Sequence, residues 1–204
     1  MKRPKPGSYR TKMRDHMLEI ANRIISTEGL GAVQARRVAQ EAGCAVGTLY
    51  NVFGGLDLLI IEANACTLDA LRDELARANE AASAAPMSDR LLALALEYLE
   101  FASTHDKAWR AVFDHQMAPG AEVPSWYRER QGTLFALVET VLENTIADVA
   151  LRASNARALF AAVHGIVVIS LDSKLGNFDY GETQRQVRFV VGSVANGLIA
   201  GSAA

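Results

Sequence analysis

An all-α fold is predicted for this 204-residue chain by three observations. Apolar residues recur at helical spacing in successive stretches from Met17 onward. No segment alternates apolar and polar residues with period two for long enough to make a strand. Glycine and proline fall between the periodic stretches, at Gly29, Gly31, Gly43, Pro86, Pro119, Gly120 and Pro124, where they end helices.

Taken in order, residues 1–10 hold Pro4, Pro6 and Gly7 among four bases and read as a mobile basic arm or a plain tail. A helix from about Thr11 to Glu28 follows, with Met17, Ile20, Ala21, Ile24 and Ile25 on its apolar face. The stretch ARRVAQEAGCAVGTLYNVF, from Ala35 to Phe53, spells two short helices around a tight turn. Ala35, Val38 and Ala39 set the first; Gly43 suits the left-handed residue that closes it. The second starts near Val46 and turns Leu49, Val52 and Phe53 inward. Two short helices across such a turn make a helix-turn-helix, whose second helix lies in a DNA major groove.

Long helices are expected after that. One runs from Asp57 to about Ala82 with Ile61, Ala65, Leu68, Leu71 and Leu75 inward. Another, capped by Ser88, runs from Asp89 to about Thr104. A third covers Lys107 to Gln116. A fourth runs from Ser125 to about Val149, with Leu134, Leu137, Val138, Val141, Leu142 and Ile146 as its stripe. The last two stretches, Asn155 to Leu171 and Gln186 to Ala204, are apolar on nearly every face, with Arg157 and Arg188 as their only charges. A helix apolar all round is buried on all sides. A two-fold four-helix dimer interface accounts for this pair, with Leu159, Val163, Gly165, Ile166, Val190, Val194 and Leu198 as contacts. An internal core hairpin is the alternative.

Composition narrows the class. Half the residues are apolar, no run is expected to reach membrane-spanning length, and no apolar signal core follows the basic N-terminus, which fits a cytoplasmic protein without a membrane partner. Cys44 and Cys66 form no framework or metal spacing and read as small apolar residues or, alternatively, as a redox switch. The net charge of −2 conceals an asymmetry: residues 1–60 carry nine Lys or Arg against five Asp or Glu, leaving the remainder at −6. The basic part coincides with the helix-turn-helix, as a polyanion binder requires.

These residues resemble the TetR family of bacterial transcriptional regulators, most closely over about Thr11 to Leu59. The run VAQEAGCAVGTLYNVFGGLDLLI looks like the family's helix two, turn, recognition helix and start of helix four. The resemblance implies a three-helix DNA-binding domain over 11–56 and a larger helical ligand-binding and dimerisation domain over 57–204. It also implies a homodimer on a palindromic double-stranded operator, released when a small-molecule effector binds the body.

Carried over by position, the DNA contacts are Arg36, Gly47, Thr48, Tyr50 and Asn51; Val46 joins them as an apolar residue of the recognition helix, and Arg37 as a base able to compensate for a missing phosphate contact. Arg36 can bond guanine bidentately or sit on a phosphate. Gly47 and Thr48 open the recognition helix, where N–H groups and a hydroxyl suit a phosphate. Tyr50 matches a phosphate-reaching tyrosine, and Asn51 suits adenine or a phosphate. Leu56 departs from the pattern, since the family usually has a lysine there; its loss removes about one charge from the salt dependence of binding.

In the body, Tyr98, Phe101, Trp109, Phe113, Met117, Trp126 and Phe135 are candidates for an effector pocket, with core packing as the alternative for each. His164 reads as a satisfied core or interface histidine. The four histidines show no metal-ligand spacing, and no cofactor is implied. An enzyme is disfavoured: no nucleophile elbow, phosphate-cradling loop or HExxH run occurs. A helical adaptor that has lost DNA contact is the remaining alternative, kept open by Leu56.

Overall fold

The computed structural model describes residues 6–172, 174 and 178–202. Among them the chain is helical without strands: α1 (Pro6–Glu28), α2 (Ala35–Glu41), α3 (Val46–Phe53), α4 (Leu56–Ala81), α5 (Met87–Thr104), α6 (Asp106–Asp114), α7 (Ser125–Leu142), α8 (Val149–Leu171) and α9 (Tyr180–Ser202). The chain divides into two compact units. One comprises Met1–Leu68 and His105–Tyr127, the other Asp69–Thr104 and Arg128–Ala204.

The first unit is built around the apolar face of α1. Met17, Ile20, Ala21, Ile24 and Ile25 are buried with Val38 of α2, Leu49, Val52 and Phe53 of α3, and Leu59, Ile60 and Ala63 of α4. Gly29 ends α1 at φ 92°, and a short 3-10 turn, Leu30–Ala32, leads to α2. Gly43 adopts φ 66°, and the turn after α2 closes in a Schellman pattern: Gly43 N–H donates to Gln40 O and Cys44 N–H to Ala39 O.

This unit is larger than the contiguous 11–56 segment because α6 returns to it. Ala111 joins the same core, the Asn64 side chain donates to the Ala111 carbonyl at 2.9 Å, and Lys107 Nζ donates to Thr27 O. The expected arm at 1–10 is shortened from its far end. Pro6 to Arg10 are the opening of α1, where proline is tolerated in the first turn; residues 1–5 lie outside the described residues.

In the second unit α5, α8 and α9 pack on one another. Leu91, Leu94, Leu99, Ala156, Leu159, Val163, Val167, Val187, Val191 and Ala195 are buried. Several helix ends differ from the sequence reading. The expected helix from Ser125 to Val149 stops at Leu142, whose carbonyl takes the N–H groups of both Thr145 and Ile146. Asp148 then caps α8, accepting the Leu151 N–H. Ser88 lies inside α5 rather than capping it, because the Pro86 carbonyl already takes the Asp89 and Arg90 N–H groups. The Asp179 side chain accepts the Glu182 N–H at 2.7 Å, and α9 starts at Tyr180, six residues before Gln186.

One further expectation is corrected. Helix α8 is long and apolar enough, by length and composition, to cross a membrane, with a mean hydropathy of 1.4. Only 22% of its apolar window is buried within the chain.

Candidate nucleic-acid interface

Helix α3 has two chemically distinct faces. Leu49, Val52 and Phe53 are buried, whereas Gly47, Tyr50 and Asn51 are exposed and Val46 and Thr48 half-buried. Its N-cap is Ala45, whose side chain accepts no hydrogen bond, so the first-turn N–H groups lack a side-chain cap. That end of the helix therefore offers donors and a positive partial charge to an anion. Tyr50 is 52% exposed, too much for a tyrosine held as core.

The charges around it sort into two sets. Arg36, in the first turn of α2, and Lys12 are exposed; among the described residues neither forms an ion pair. Arg37 is bound instead to two carboxylates: Nη1 donates to Glu28 at 2.8 Å and Nε to Glu41 at 3.0 Å. That pairing raises the Arg37 pKa and lowers that of Glu28. Arg37, expected among the DNA contacts, is thus held by two carboxylates of its own unit. Leu56 packs against the first unit's core, which explains an apolar residue where the family usually has lysine.

The sequence reading missed two arginines. Arg10 and Arg14 of α1 reach the C-terminal carbonyls of α3, at Asn51 and Val52. The only local signal is their spacing of four, which puts both on one face of α1.

The body residues expected to form one pocket are divided. Trp109, Phe113, Met117 and Trp126 belong to the first unit, Tyr98, Phe101 and Phe135 to the second. The Trp109 and Phe113 rings meet at a tilt with centroids 5.2 Å apart, the former buried and the latter 42% exposed. In the second unit Tyr98 and Phe135 gather around two residues of α8 that sequence did not link to them. Phe160 meets the Tyr98 ring edge-on at 5.7 Å and the Phe135 ring at 5.3 Å, and stacks on His164 at 5.2 Å. His164 Nδ1 lies 2.7 Å from the Tyr98 hydroxyl, and burial lowers its pKa; it is a satisfied histidine, as expected. Arg157 lies over the Phe135 ring at 5.4 Å.

The expected interface residues also divide. Leu159 and Val163 are buried inside the single chain, while Gly165, Ile166, Val190, Val194 and Leu198 are half-buried. The exposed residues include Leu151, Ser154, Arg157, Ala158, Ala161, Ala162 and Ile169 on α8, and Arg185, Arg188, Phe189, Ser193, Asn196, Gly197, Ile199 and Ala200 on α9. Phe189 is 73% exposed. A helix apolar on nearly every face carries little moment to say which side faces in.

The fold and this surface define a helix-turn-helix protein with a separate helical body. Residues 91–193 match the family described as "Tetracyclin repressor-like, C-terminal domain". The chain belongs to the TetR family of transcriptional regulators. Solved structures share the fold at low identity. A Rhodococcus sp. RHA1 protein of unknown function is 22% identical, with a TM-score of 0.69 over 93% of this chain and 94% of that one. A TetR-family transcriptional regulator from Streptomyces coelicolor is 17% identical, with a TM-score of 0.65 over 95% of this chain and 82% of that one. The TetR-family regulator PfmR from Thermus thermophilus is 15% identical, with a TM-score of 0.60 over 89% of this chain and 98% of that one. The sequence matches no curated protein.

Proposed function

We propose that this protein is a ligand-responsive, DNA-binding transcriptional repressor, cytoplasmic and homodimeric, that leaves a palindromic operator when a small molecule binds its second unit. The observation that carries the reading is the polar outer face of α3. Gly47, Tyr50 and Asn51 stand exposed on a helix whose other face is wholly committed to the core, with Arg36 exposed on the preceding helix. Arg36 and Asn51 are the base-reading candidates, and Thr48, Tyr50 and the α3 N-terminus the phosphate contacts. Arg37 would reach a phosphate only in competition with Glu28 and Glu41, which hold it here. The aromatic group of Tyr98, Phe135, Phe160 and His164 supports an effector site in the second unit, since such sites combine aromatic walls with few polar groups. The exposed, largely apolar stripes of α8 and α9 support pairing with a second copy.

A second reading, a helical interaction protein with degenerate DNA binding, rests on Leu56 alone. Fluorescence anisotropy on intergenic DNA flanking the gene, at two salt concentrations with excess nonspecific competitor, separates the two. Nanomolar binding that survives competitor is expected. Binding lost to competitor on this DNA and on genome-wide fragments alike would favour the interaction protein.

A further inference from the structure

A helix of eight residues ends on carbonyls that it cannot satisfy itself. At the end of α3, Tyr50 O accepts the Gly54 N–H at 2.8 Å. The next two carbonyls are taken by α1: Arg10 Nη2 donates to Asn51 O at 3.0 Å and Arg14 Nη1 to Val52 O at 3.1 Å. Two guanidinium groups at a helix C-terminus also meet the negative end of its dipole. Arg14 reaches further. Its guanidinium carbon lies 4.8 Å from the centroid of the Phe53 ring, and its Nη2 pairs with Glu62 of α4. Glu62 is 16% exposed and Arg14 39%, so solvent screens the pair only in part. The Arg14 guanidinium thus holds one terminal carbonyl of α3, its final side chain and the next helix together. A planar fork of five donors can do this, whereas an ammonium on a flexible stem cannot.

We propose that Arg14, set by Glu62, is a positioning residue for DNA recognition. It fixes the angle at which α3 presents Gly47, Tyr50 and Asn51 and does not itself touch DNA. This rests on the DNA-binding reading above and goes beyond it. Two turns of helix have little apolar area to resist tilting, so a hold at the C-terminal end governs where the reading face lies. Apolar contacts tolerate sliding; directional hydrogen bonds to fixed carbonyls do not. Because Glu62 belongs to α4, the same pair ties any displacement of the start of α4 to the recognition helix.

The full-length protein tests this with Arg14→Gln, Arg14→Lys, Glu62→Gln and the Arg14→Gln/Glu62→Gln double variant. One probe is a duplex selected by the unaltered protein from a random-sequence library; the other is the unselected pool. Anisotropy titrations across salt concentrations, with circular dichroism at the assay temperature, supply the readouts. Each single variant is expected to lower the ratio of selected to pool affinity about tenfold, the scale of a charged hydrogen bond. The salt slope stays unchanged, and the double variant is no worse than either glutamine single.

Glu62→Gln is decisive, because it removes a negative charge from a DNA-binding module. Electrostatics alone would tighten binding, whereas lost positioning weakens it. Selected-duplex binding as tight as or tighter than that of the unaltered protein would overturn the proposal. So would an Arg14→Gln loss shared equally by both probes with a shallower salt slope, the signature of a direct phosphate contact. If Arg14→Gln fails to fold, Arg14→Lys and Glu62→Gln carry the test. A library that yields no preferred sequence removes the DNA-binding reading and this one with it. A preferred sequence bound equally by all variants removes this one alone.

Discussion

Helices α3 and α9 both expose a face in the protomer, and the two faces differ in chemistry. On α3 the exposed residues are Gly47, Tyr50 and Asn51, with Leu49, Val52 and Phe53 buried. On α9 they include Phe189, Gly197, Ile199 and Ala200, with Val187, Val191 and Ala195 buried on the other side. Ser193 and Asn196 are the small polar members of that face. A polar face with an open helix N-terminus suits an anion whose charge stays partly hydrated. A stripe of small residues with one projecting ring suits another apolar helix, where backbones can approach closely and water is excluded. Partner class thus follows from which kind of atom is left outside.

The strongest way to break this contrast is to blank the polar face. Replacing Arg36, Thr48, Tyr50 and Asn51 together by alanine is expected to lower operator affinity by more than about a hundredfold, given about 1–3 kcal/mol per good base contact. The circular dichroism spectrum should not change, since none of the four is buried. Anisotropy measures the loss; undiminished affinity would rule out α3 as the reader.

The corresponding change on the apolar face is Phe189→Glu. In the proposed two-fold dimer the change removes the ring twice, at about 1.5–3 kcal/mol for each fully buried side chain. The dimer dissociation constant should rise about a hundredfold or more by sedimentation, and operator binding should weaken only as the dimer is lost. An unchanged association state would move the interface elsewhere.

A smaller effect sharpens the comparison inside the two cores. Burial holds the pKa of both His115 and His164 below the ordinary 6.5, although Asp57 opposes this at His115. The unfolded chain therefore binds protons that the folded chain refuses, and stability falls as pH drops from about 6.5 toward the lower folded values. Melting temperature should decline between about pH 6.5 and pH 5, and His115→Asn should flatten the decline. A rising melting temperature over that interval would show that the histidines gain partners on protonation.

The smallest expected effect is at the turn of the motif. Gly43→Ala meets no atom within 4 Å but must hold φ +66°. The left-handed conformation costs about 1–2 kcal/mol for a residue with a Cβ, measurable by urea denaturation. No loss would mean that the turn relaxes.

The same contrast explains what can be read from the chain. In α3, Leu49, Val52 and Phe53 recur at helical spacing against polar neighbours, so inward and outward residues separate before any coordinates are seen. Gly43 is legible for the same kind of reason, because one residue type suits one backbone conformation. Helix α8 has no continuous polar face, so its sequence puts Leu159 and Val163 in the outer interface, whereas both are inside the protomer. The docking of α6 and the reach of Arg14 join residues dozens of positions apart through a few individual side-chain contacts, which leave no periodic trace. The aromatic residues expected to share one pocket are alike in composition but belong to two units.

The most direct test is a hydroxyl-radical footprint of the full-length protein on its selected duplex. Recognition by two α3 helices in a symmetric dimer predicts two protected half-sites related by a dyad. Their centres should lie about 34–36 Å apart, or at a multiple of one helical turn. A single protected patch, or protection without symmetry, would contradict the division of labour between the polar face of α3 and the apolar faces of α8 and α9.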